Sequence, residues 1–411
     1  MNFELFIAKR IIDTKAYKSS VSAPIIKIGI AAIAIGIVVM MIAIATGVGL
    51  QLKIRDKVSA FSGHIMISNF DSNYSQESGK PISTQQDFYP EFKTVEGIRN
   101  VQAVATKFGI IRTETDFQAI IVKGVGNDYD WGFFKEFLVQ GRLPDYSGKR
   151  NQEVLISQEL ANRMQFDLDQ KFTTFFRKED PNKPPTAIRY NIVGIYNSGL
   201  KEFDETYVIG DIRHIQRLNK WEPYEVGHFE VLIKDYNTLE ESFRAVFQNT
   251  PSLLNAMTVE QKHGSIFEWI GIFDKNIFGL IGIMILVAGI NMITALLVLI
   301  LERTKMIGIL KALGTNNWKI RKMFLLNASY IVFIGLFWGN LLGFGLLLTQ
   351  KYLKLIPLDP AVYHVSEVPI DINLSYILAL NIGTFILCLV MLLLPSYVIT
   401  KISPVQAIRF D

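Results

Sequence analysis

The sequence alternates between long apolar blocks and one long stretch of mixed polarity, and the blocks set the architecture. Four runs, Ile25–Val48, Ile277–Leu301, Met323–Leu348 and Ile377–Ile399, are each apolar and long enough to cross a bilayer as a helix, which needs about 20 residues. Ahead of the first, residues 1–24 interleave Phe3, Phe6, Ile7 and Ile11 with Lys9, Arg10, Lys15 and Lys18. That spacing predicts an amphipathic helix along the cytoplasmic membrane face, with an unstructured basic leader as the alternative. Ala43-Ile44-Ala45 imitates a signal-peptidase site. The preceding basic region is too long for a signal, and the apolar run continues past the site, so the block is read as an uncleaved anchor.

Two shorter stripes flank the mixed stretch. Leu50, Ile54, Val58 and Phe61 recur at helical spacing among Gln51, Lys53, Arg55 and Lys57, and Ile266, Ile270, Phe273 and Ile277 lead into the second block. They fit either a paired stalk, extending the crossings at 25–62 and 264–301, or two helices packed on the domain between them. Residues 63–263 form that domain, an α+β region of one or two lobes. Strands are expected at His64–Ser68, Phe117–Lys123, Glu153–Ser157, Phe172–Phe176, Tyr190–Tyr196 and Phe229–Lys234. Helices are expected at Gln158–Phe166, Asp211–Asn219 and Thr238–Gln248, the last opened by a capping box from Thr238 to Glu241. Phe70–Pro81, rich in Ser, Asn and Gly, is read as a loop.

Positive charge orients the chain. Residues 1–24, the linker at 302–322 and the end at 401–411 carry most of the basic residues that flank crossings, and four crossings put all three on the cytoplasmic side. The inserted domain and the loop at 349–375, with Asp359, Glu367 and Asp371, then lie outside. The fold class is a membrane protein: four transmembrane α-helices, the last two at 323–348 and 376–400, with a large α+β domain inserted between the first and second. Composition agrees: 50% of the 411 residues are hydrophobic and the mean hydropathy is +0.26. The one cysteine, Cys388, sits in an apolar run. No disulfide within the chain can therefore staple the outer domain, whose roughly 200 residues suffice for an ordinary core.

Candidate chemistry is sparse. The five histidines, His64, His214, His228, His263 and His364, are scattered without metal-ligand spacing, and no nucleophile elbow occurs. Gly124-Val125-Gly126 lacks the third glycine of a dinucleotide loop, Tyr129 standing there, and reads as a strand-end turn. Gly79-Lys80 and Gly148-Lys149 lack the upstream glycine of a phosphate loop. The polar residues of the crossings, Asn291, Asn340 and Asn381, are neutral and suit interhelical hydrogen bonds, whereas an ion-driven carrier places ionisable groups there. Gly335, Gly339 and Gly343 give small-residue spacing for close helix packing, within the chain or across a dimer. Catalytic and metal residues are read as none, and no nucleic-acid partner is expected.

Motion must then be imposed from outside, and the linker LERTKMIGILKALGTNNWKIRKMF, Leu301–Phe324, is the place for it. Ile307, Leu310 and Leu313 share a helical face, Gly314 permits a break, and Thr315–Arg321 is expected to form a second short helix with Trp318 on its surface. A stiff amphipathic knob between two crossings points to docking of a cytoplasmic partner. A basic loop that only sets topology would not need the apolar stripe.

The pattern ER-x-x-x-IGILKALG resembles the coupling segment of FtsX-like ABC transporter permeases, the group containing LolC, LolE and MacB. FELFIAKR, ATGVGLQLK and SGHIMIS resemble the start of LolC/LolE-type permeases. VLISQELANRMQFDLDQKF and YNIVGIYNSGLKEFDETYV resemble the periplasmic core shared with MacB, and PVQAIR resembles the usual ending. One departure is Met306, where many relatives carry an acidic residue.

The resemblance implies a non-enzymatic permease of the bacterial inner membrane with its α+β domain in the periplasm. Such permeases work with a second permease subunit, identical or not, on a pair of separate LolD-like ATPase subunits, which hold the ATP and Mg. Lys311, Ala312, Leu313, Gly314, Thr315, Asn316, Trp318, Ile320 and Arg321 would seat in the ATPase groove. A hairpin at Arg177–Arg189, including Arg177, Asp180, Pro181, Lys183, Pro184 and Pro185, would be the hook that captures a LolA-like periplasmic carrier; an ordinary hairpin loop is the alternative. Met40, Met41 and Ile44 would line a cavity for membrane lipids or the acyl chains of lipoprotein substrates, against the alternative of ordinary span packing. The implied function is ATP-driven release of lipoproteins toward that carrier. Its rivals are MacB-like efflux and an FtsX-like transducer that switches a cell-wall hydrolase.

Overall fold

The computed structural model of the chain describes residues 22–70, 76–113, 116–178, 180, 182–359, 363, 365 and 367–403. The expected N-terminal amphipathic helix, Pro181 of the hook and the PVQAIR ending lie outside the described residues. The chain divides into two compact units: one of Met1–Gln51, Ile270–Pro357 and Val368–Asp411, the other of Leu52–Trp269 and Leu358–Glu367.

A single 41-residue helix, α1 (Ser22–Ser62), contains the first apolar block and the stripe after it. Its turns from Leu52 onward belong to the inserted unit. The strands of that unit are β1 (Ile65–Asn69), β2 (Ile82–Ser83), β3 (Ile98–Arg112), β4 (Phe117–Val125), β5 (Leu138–Gly141), β6 (Glu153–Ser157), β7 (Lys171–Phe176), β8 (Thr186–Tyr196), β9 (Tyr207–Asp211), β10 (Glu225–Val226), β11 (His228–Ile233) and β12 (Leu254–Thr258). Nine of them run in the order β12-β1-β11-β3-β4-β9-β6-β8-β5, and β7 bridges β8 back to β3. The strands β3-β4-β9-β6-β8-β7 therefore close into a ring, mixed in direction because β4 with β9 and β6 with β8 are parallel. β3 makes closure possible by its length: residues Ile98–Val104 pair with β11, while Ile110 and Ile111 pair with Phe175 and Thr174 of β7. At Gly109 a Cβ would stand 2.6 Å from Thr174 Cγ2, so only glycine lets the strands approach there.

One sheet face is the hydrophobic core, with Ile65, Ile67, Val101, Val122, Phe229 and Val231 buried together. Helices cap it as their sequences direct. Ser157 Oγ accepts from Leu160 N at 3.0 Å to open α2 (Gln158–Met164), and Asp211 accepts from Arg213 N at 3.0 Å to open α3 (Ile212–Asn219). The capping box expected at Thr238 does not form. A 3₁₀ turn, Tyr236–Thr238, precedes α4 (Leu239–Gln248), so the chain is capped one turn earlier by Asp235, and Thr238 Oγ1 donates to Asp235 O at 2.8 Å instead. The reciprocal box lies at Thr258 and Gln261, opening α5 (Val259–Lys262).

The other unit contains most of α6 (Gly264–Glu302), then α7 (Thr304–Ala312), α8 (Asn317–Leu353), α9 (Leu374–Ser396) and a final turn at Val398–Lys401. Among the described residues four helices are long and apolar enough to cross a membrane, and the mixed-sheet domain is inserted between the first two. The glycine ridge of α8 packs inside the chain, against α1: a Cβ on Gly335 would be 2.8 Å from Ile33 Cβ, on Gly339 2.8 Å from Ile37 Cβ, and on Gly343 2.9 Å from Met41 Sδ. Asn340 and Asn381 exchange amide hydrogen bonds of 2.6 and 2.9 Å between α8 and α9. Gln51 Nε2 donates to Asp274 Oδ1 at 2.6 Å between α1 and α6. Gly339→Leu should overpack the ridge at a cost of about 1–3 kcal/mol. The expected result is a lower thermal-aggregation midpoint for the purified chain than for a Gly279→Leu control, at whose Cβ position nothing lies within 4 Å.

Candidate functional site

The knob is built from a helix stop and a helix start placed back to back. α7 ends in a Schellman turn, with Thr315 N donating to Leu310 O at 3.0 Å and Gly314 N to Lys311 O at 2.9 Å. Gly314 has φ +86°, a conformation glycine adopts without a Cβ penalty. Asn316 then caps α8, its Oδ1 accepting from Trp318 N at 3.1 Å. The separate short helix expected at Thr315–Arg321 is not there: these residues run from the cap straight into the first turn of the third crossing. The geometry has no free joint between knob and crossing.

The knob residues divide by direction. Leu313 is 78% exposed and Trp318 56% exposed, with Ala312, Gly314 and Asn316 also at the surface. Ile307 and Ile320 are fully buried and Leu310 packs against the same cluster, so the expected stripe turns outward at Leu313, past the last helical residue. Lys311 folds back, its Nζ donating to Ile399 O at 2.6 Å and Ile402 O at 2.8 Å, where the last helical turn leaves carbonyls open. Arg321 donates to Ser396 Oγ at 3.1 Å and lies over the rings of Trp318 and Tyr397. Lys311, Ile320 and Arg321 thus hold the knob in place, while Leu313 and Trp318 face outward. Met306, at the position of the departure, packs against the helix cluster.

In the inserted unit, α1 ends inside a polar layer that sequence reading missed. Lys123 Nζ donates to Phe61 O at 2.8 Å, and Tyr129 OH to Ala60 O at 3.1 Å, capping the last carbonyls of α1. Lys123 also meets Glu230 at 2.7 and 2.9 Å, and both side chains are buried. Gln102 Nε2 adds 2.8 Å to Glu230 Oε2. Burial would raise the Glu230 carboxyl, but the Lys123 charge overrides it and holds the group near 2. Phe61 itself stacks on Phe203 at 4.5 Å. Gly63, at φ +67°, brings the chain against Glu230, where a Cβ would stand 2.7 Å from Glu230 Cβ. Ser62 Oγ and His263 Nε2, 2.8 Å apart, join the end of α1 to the turn before α6.

The hook segment is the connection of the antiparallel pair β7 and β8, whose register closes at Phe176 and Thr186. Arg177, Asp180, Lys183, Pro184 and Pro185 are all exposed. Thr186–Arg189, assigned to the hook from sequence, are instead the start of β8. Beside the hairpin runs a groove of about 840 Å³ whose lining includes Lys107, Arg150, Arg177, Lys178, Lys183, Arg189, Arg217 and Lys220, with Asp180 the one carboxylate among the described residues of the lining. Met40 and Met41 are buried among the long apolar helices, and Ile44 packs against the same cluster.

Comparison with known proteins places both halves. Residues 28–246 match the MacB-like periplasmic core domain, and residues 278–404 match the FtsX-like permease C-terminal region. The lipoprotein-releasing system transmembrane protein LolC of Xylella fastidiosa (strain Temecula1) is 22% identical, over 55% of this chain and 56% of its own length. The chain thus spans about half the length of that relative. LolC of Buchnera aphidicola is 21% identical over 86% of each chain. Among solved structures, the periplasmic region of MacB from Actinobacillus actinomycetemcomitans is similar at 14% identity, covering 49% of this chain and 91% of that one, with a TM-score of 0.32. The core-domain match alone takes in more than half of the sequence, and with the C-terminal match it establishes that the chain belongs to the FtsX-like ABC transporter permeases with a MacB-like periplasmic core domain.

Proposed function

We propose that the chain is the membrane subunit of an inner-membrane transporter that releases lipoproteins toward a periplasmic carrier. Energy comes from ATP hydrolysis, with Mg, on a LolD-like ATPase pair, and a second permease subunit completes the membrane part. The observation that carries this reading is the knob: Leu313 and Trp318 are large apolar side chains held in the open on a jointless turn. An apolar anchor on a rigid mount is what a partner groove needs in order to move a crossing helix. The carrier is assigned to the hook and its basic groove, which suits an acidic protein surface. The lipoprotein substrate rests on the relatives named as parts of lipoprotein-releasing systems.

The test is purification from native membranes with mass spectrometry of bound proteins and their acyl groups. Co-purification of an ATPase and triacylated lipoproteins that leave on ATP addition is the expected result. An efflux adaptor or a cell-wall hydrolase in place of lipoproteins would transfer the chain to the MacB-like or the FtsX-like function. At the groove, the pair Arg177→Glu and Arg189→Glu should slow carrier association at least tenfold and flatten its dependence on salt, as surface plasmon resonance would read. An unchanged association rate would remove the carrier from this face.

A further inference from the structure

The loop between α8 and α9 is organised by a residue of α8. Gln350, buried near the end of that helix, holds both arms of the loop. Its Oε1 accepts from Ile356 N at 3.0 Å, and its Nε2 donates to Val368 O at 3.3 Å. Val368 N donates to Ile356 O at 3.2 Å and ties the arms to each other. Beyond them Ile370 and Ile372 pack against the apolar cluster of the helices. The returning arm, Val368–Ile372, is therefore a strap, fixed at one end to α8 and continuing at the other into α9 at Leu374.

The strap lies on α1, backbone against backbone. Asp371 N donates to Ala45 O at 3.0 Å, within the run of that helix. One turn on, a Cβ at Gly49 would stand 2.6 Å from Pro369 O and 2.9 Å from its carbonyl carbon, so only glycine lets the strap seat. This contact continues the glycine ridge, which already brings α8 against Ile33, Ile37 and Met41 of α1. From Ile33 to Gly49, about 24 Å at 1.5 Å per residue, α1 is thus held by α8 or by the strap that α8 fixes. α6 is joined to the same parts more loosely. It reaches the knob through a break at Arg303, where no side chain caps α7. Near Gly47 it meets α1 by side-chain ends, Ile277 Cδ1 and the hydrogen bond from Gln51 to Asp274.

We propose that the strap locks α1 to α8, so that the two move as one body and α1, rather than α6, takes up the displacement imposed at the knob. This rests on the reading that a partner acts at the knob. The path has no free joint: the knob runs into α8, α8 grips α1 through its ridge and through Gln350 and the strap, and α1 is unbroken to Ser62. Gln350 and Gly49 are then positioning residues for release, acting through helix placement. A strap that served as a gate would instead have to leave α1, breaking the bond from Asp371 to Ala45 and vacating the seat at Gly49.

Distance measurement between spin labels at Lys53→Cys, one turn past Gly49 on α1, and Tyr352→Cys on α8 tests it. Both side chains are more than half exposed, and Cys388 is buried and stays unlabelled. One narrow distance distribution is expected for the full chain in lipid nanodiscs, and the same one in the ATPase-bound transporter trapped with ATP and vanadate. A label at the exposed Ile283→Cys on α6 should shift relative to Tyr352→Cys on trapping. Gly49→Ala and Gln350→Ala should each broaden the α1–α8 distribution in the nucleotide-free chain. Gly383→Ala, at whose Cβ position nothing lies within 4 Å, should not. In the assembled transporter the two strap variants should retain the ATPase and its hydrolysis but cut lipoprotein released per ATP about tenfold, the size of a typical coupling free energy. An α1–α8 distance that shifts with nucleotide, an α6 label that does not, unbroadened distributions, or normal release per ATP in both variants would overturn the lock. If the wild-type chain retains no ATPase, the docking reading fails instead, and the nucleotide-free distributions still decide the strap.

Discussion

Leu313→Asp and Trp318→Asp should each leave the chain folded and cut ATP-driven release by the assembled transporter more than tenfold. Both positions are exposed in the isolated chain, Leu313 at 78% and Trp318 at 56%, so the new carboxylates stay in water until a partner covers them. Burying an unpaired charge in an apolar partner groove costs on the order of 2 kcal/mol or more, and each 1.4 kcal/mol is a tenfold loss. Two readouts separate coupling from assembly. Retention of the ATPase on an affinity column should fall, and whatever ATPase remains bound should hydrolyse ATP without matching release. Lys319→Asp, an exposed change on the same turn that removes no apolar anchor, is the control. Full coupled turnover in both aspartate variants would show that the ATPase docks elsewhere.

The second large effect is on the inserted domain. Lys123→Met strands Glu230 in the interior and uncaps α1 at Phe61, and breaking a buried pair in this way costs about 3–5 kcal/mol. For a domain of this size, that lowers the melting temperature on the order of 10 °C. The double change Lys123→Met with Glu230→Met should recover most of the loss, because it leaves no orphan charge. Acid should imitate the single variant. The folded Glu230 carboxyl titrates near 2 against an ordinary 4.5. Its contribution is whole above about 4.5 and is lost as pH falls toward 2. A domain that melts at the same temperature at pH 3 and pH 6, or a double variant no better than the single one, would show that the pair does not hold the helix end.

The crossings, the Schellman glycine and six strands were legible because each is a local pattern: an unbroken apolar run, a helix stop, an alternation. β3 was not. Val101, Ala103, Val104 and Ala105 are all buried, so no period of two survives, and Gly109 looks like a breaker when it is the point where the strand changes partners. Lys123 and Glu230 are charged residues within predicted strands, and no local pattern marks them as buried. Their burial follows from the end of α1 landing on that face, a contact between positions far apart in the chain. The spacing around the knob predicts one helix too many, since Thr315–Arg321 carries its own apolar residues, Trp318 and Ile320. Only their opposite fates, one exposed and one buried in the bundle, reveal that α8 has already begun.

The grip of Lys311 on the carbonyls of Ile399 and Ile402 bears on the order of synthesis. The turn that presents Leu313 is translated some ninety residues before the backbone it fastens to. A nascent chain with three helices inserted would expose that turn unfastened, with a loose ammonium beneath it. Only when the ribosome has finished the fourth crossing can the lysine close and the turn set. The lysine contact that fastens the turn beneath Leu313 is therefore complete only once the last of the four long helices has been made.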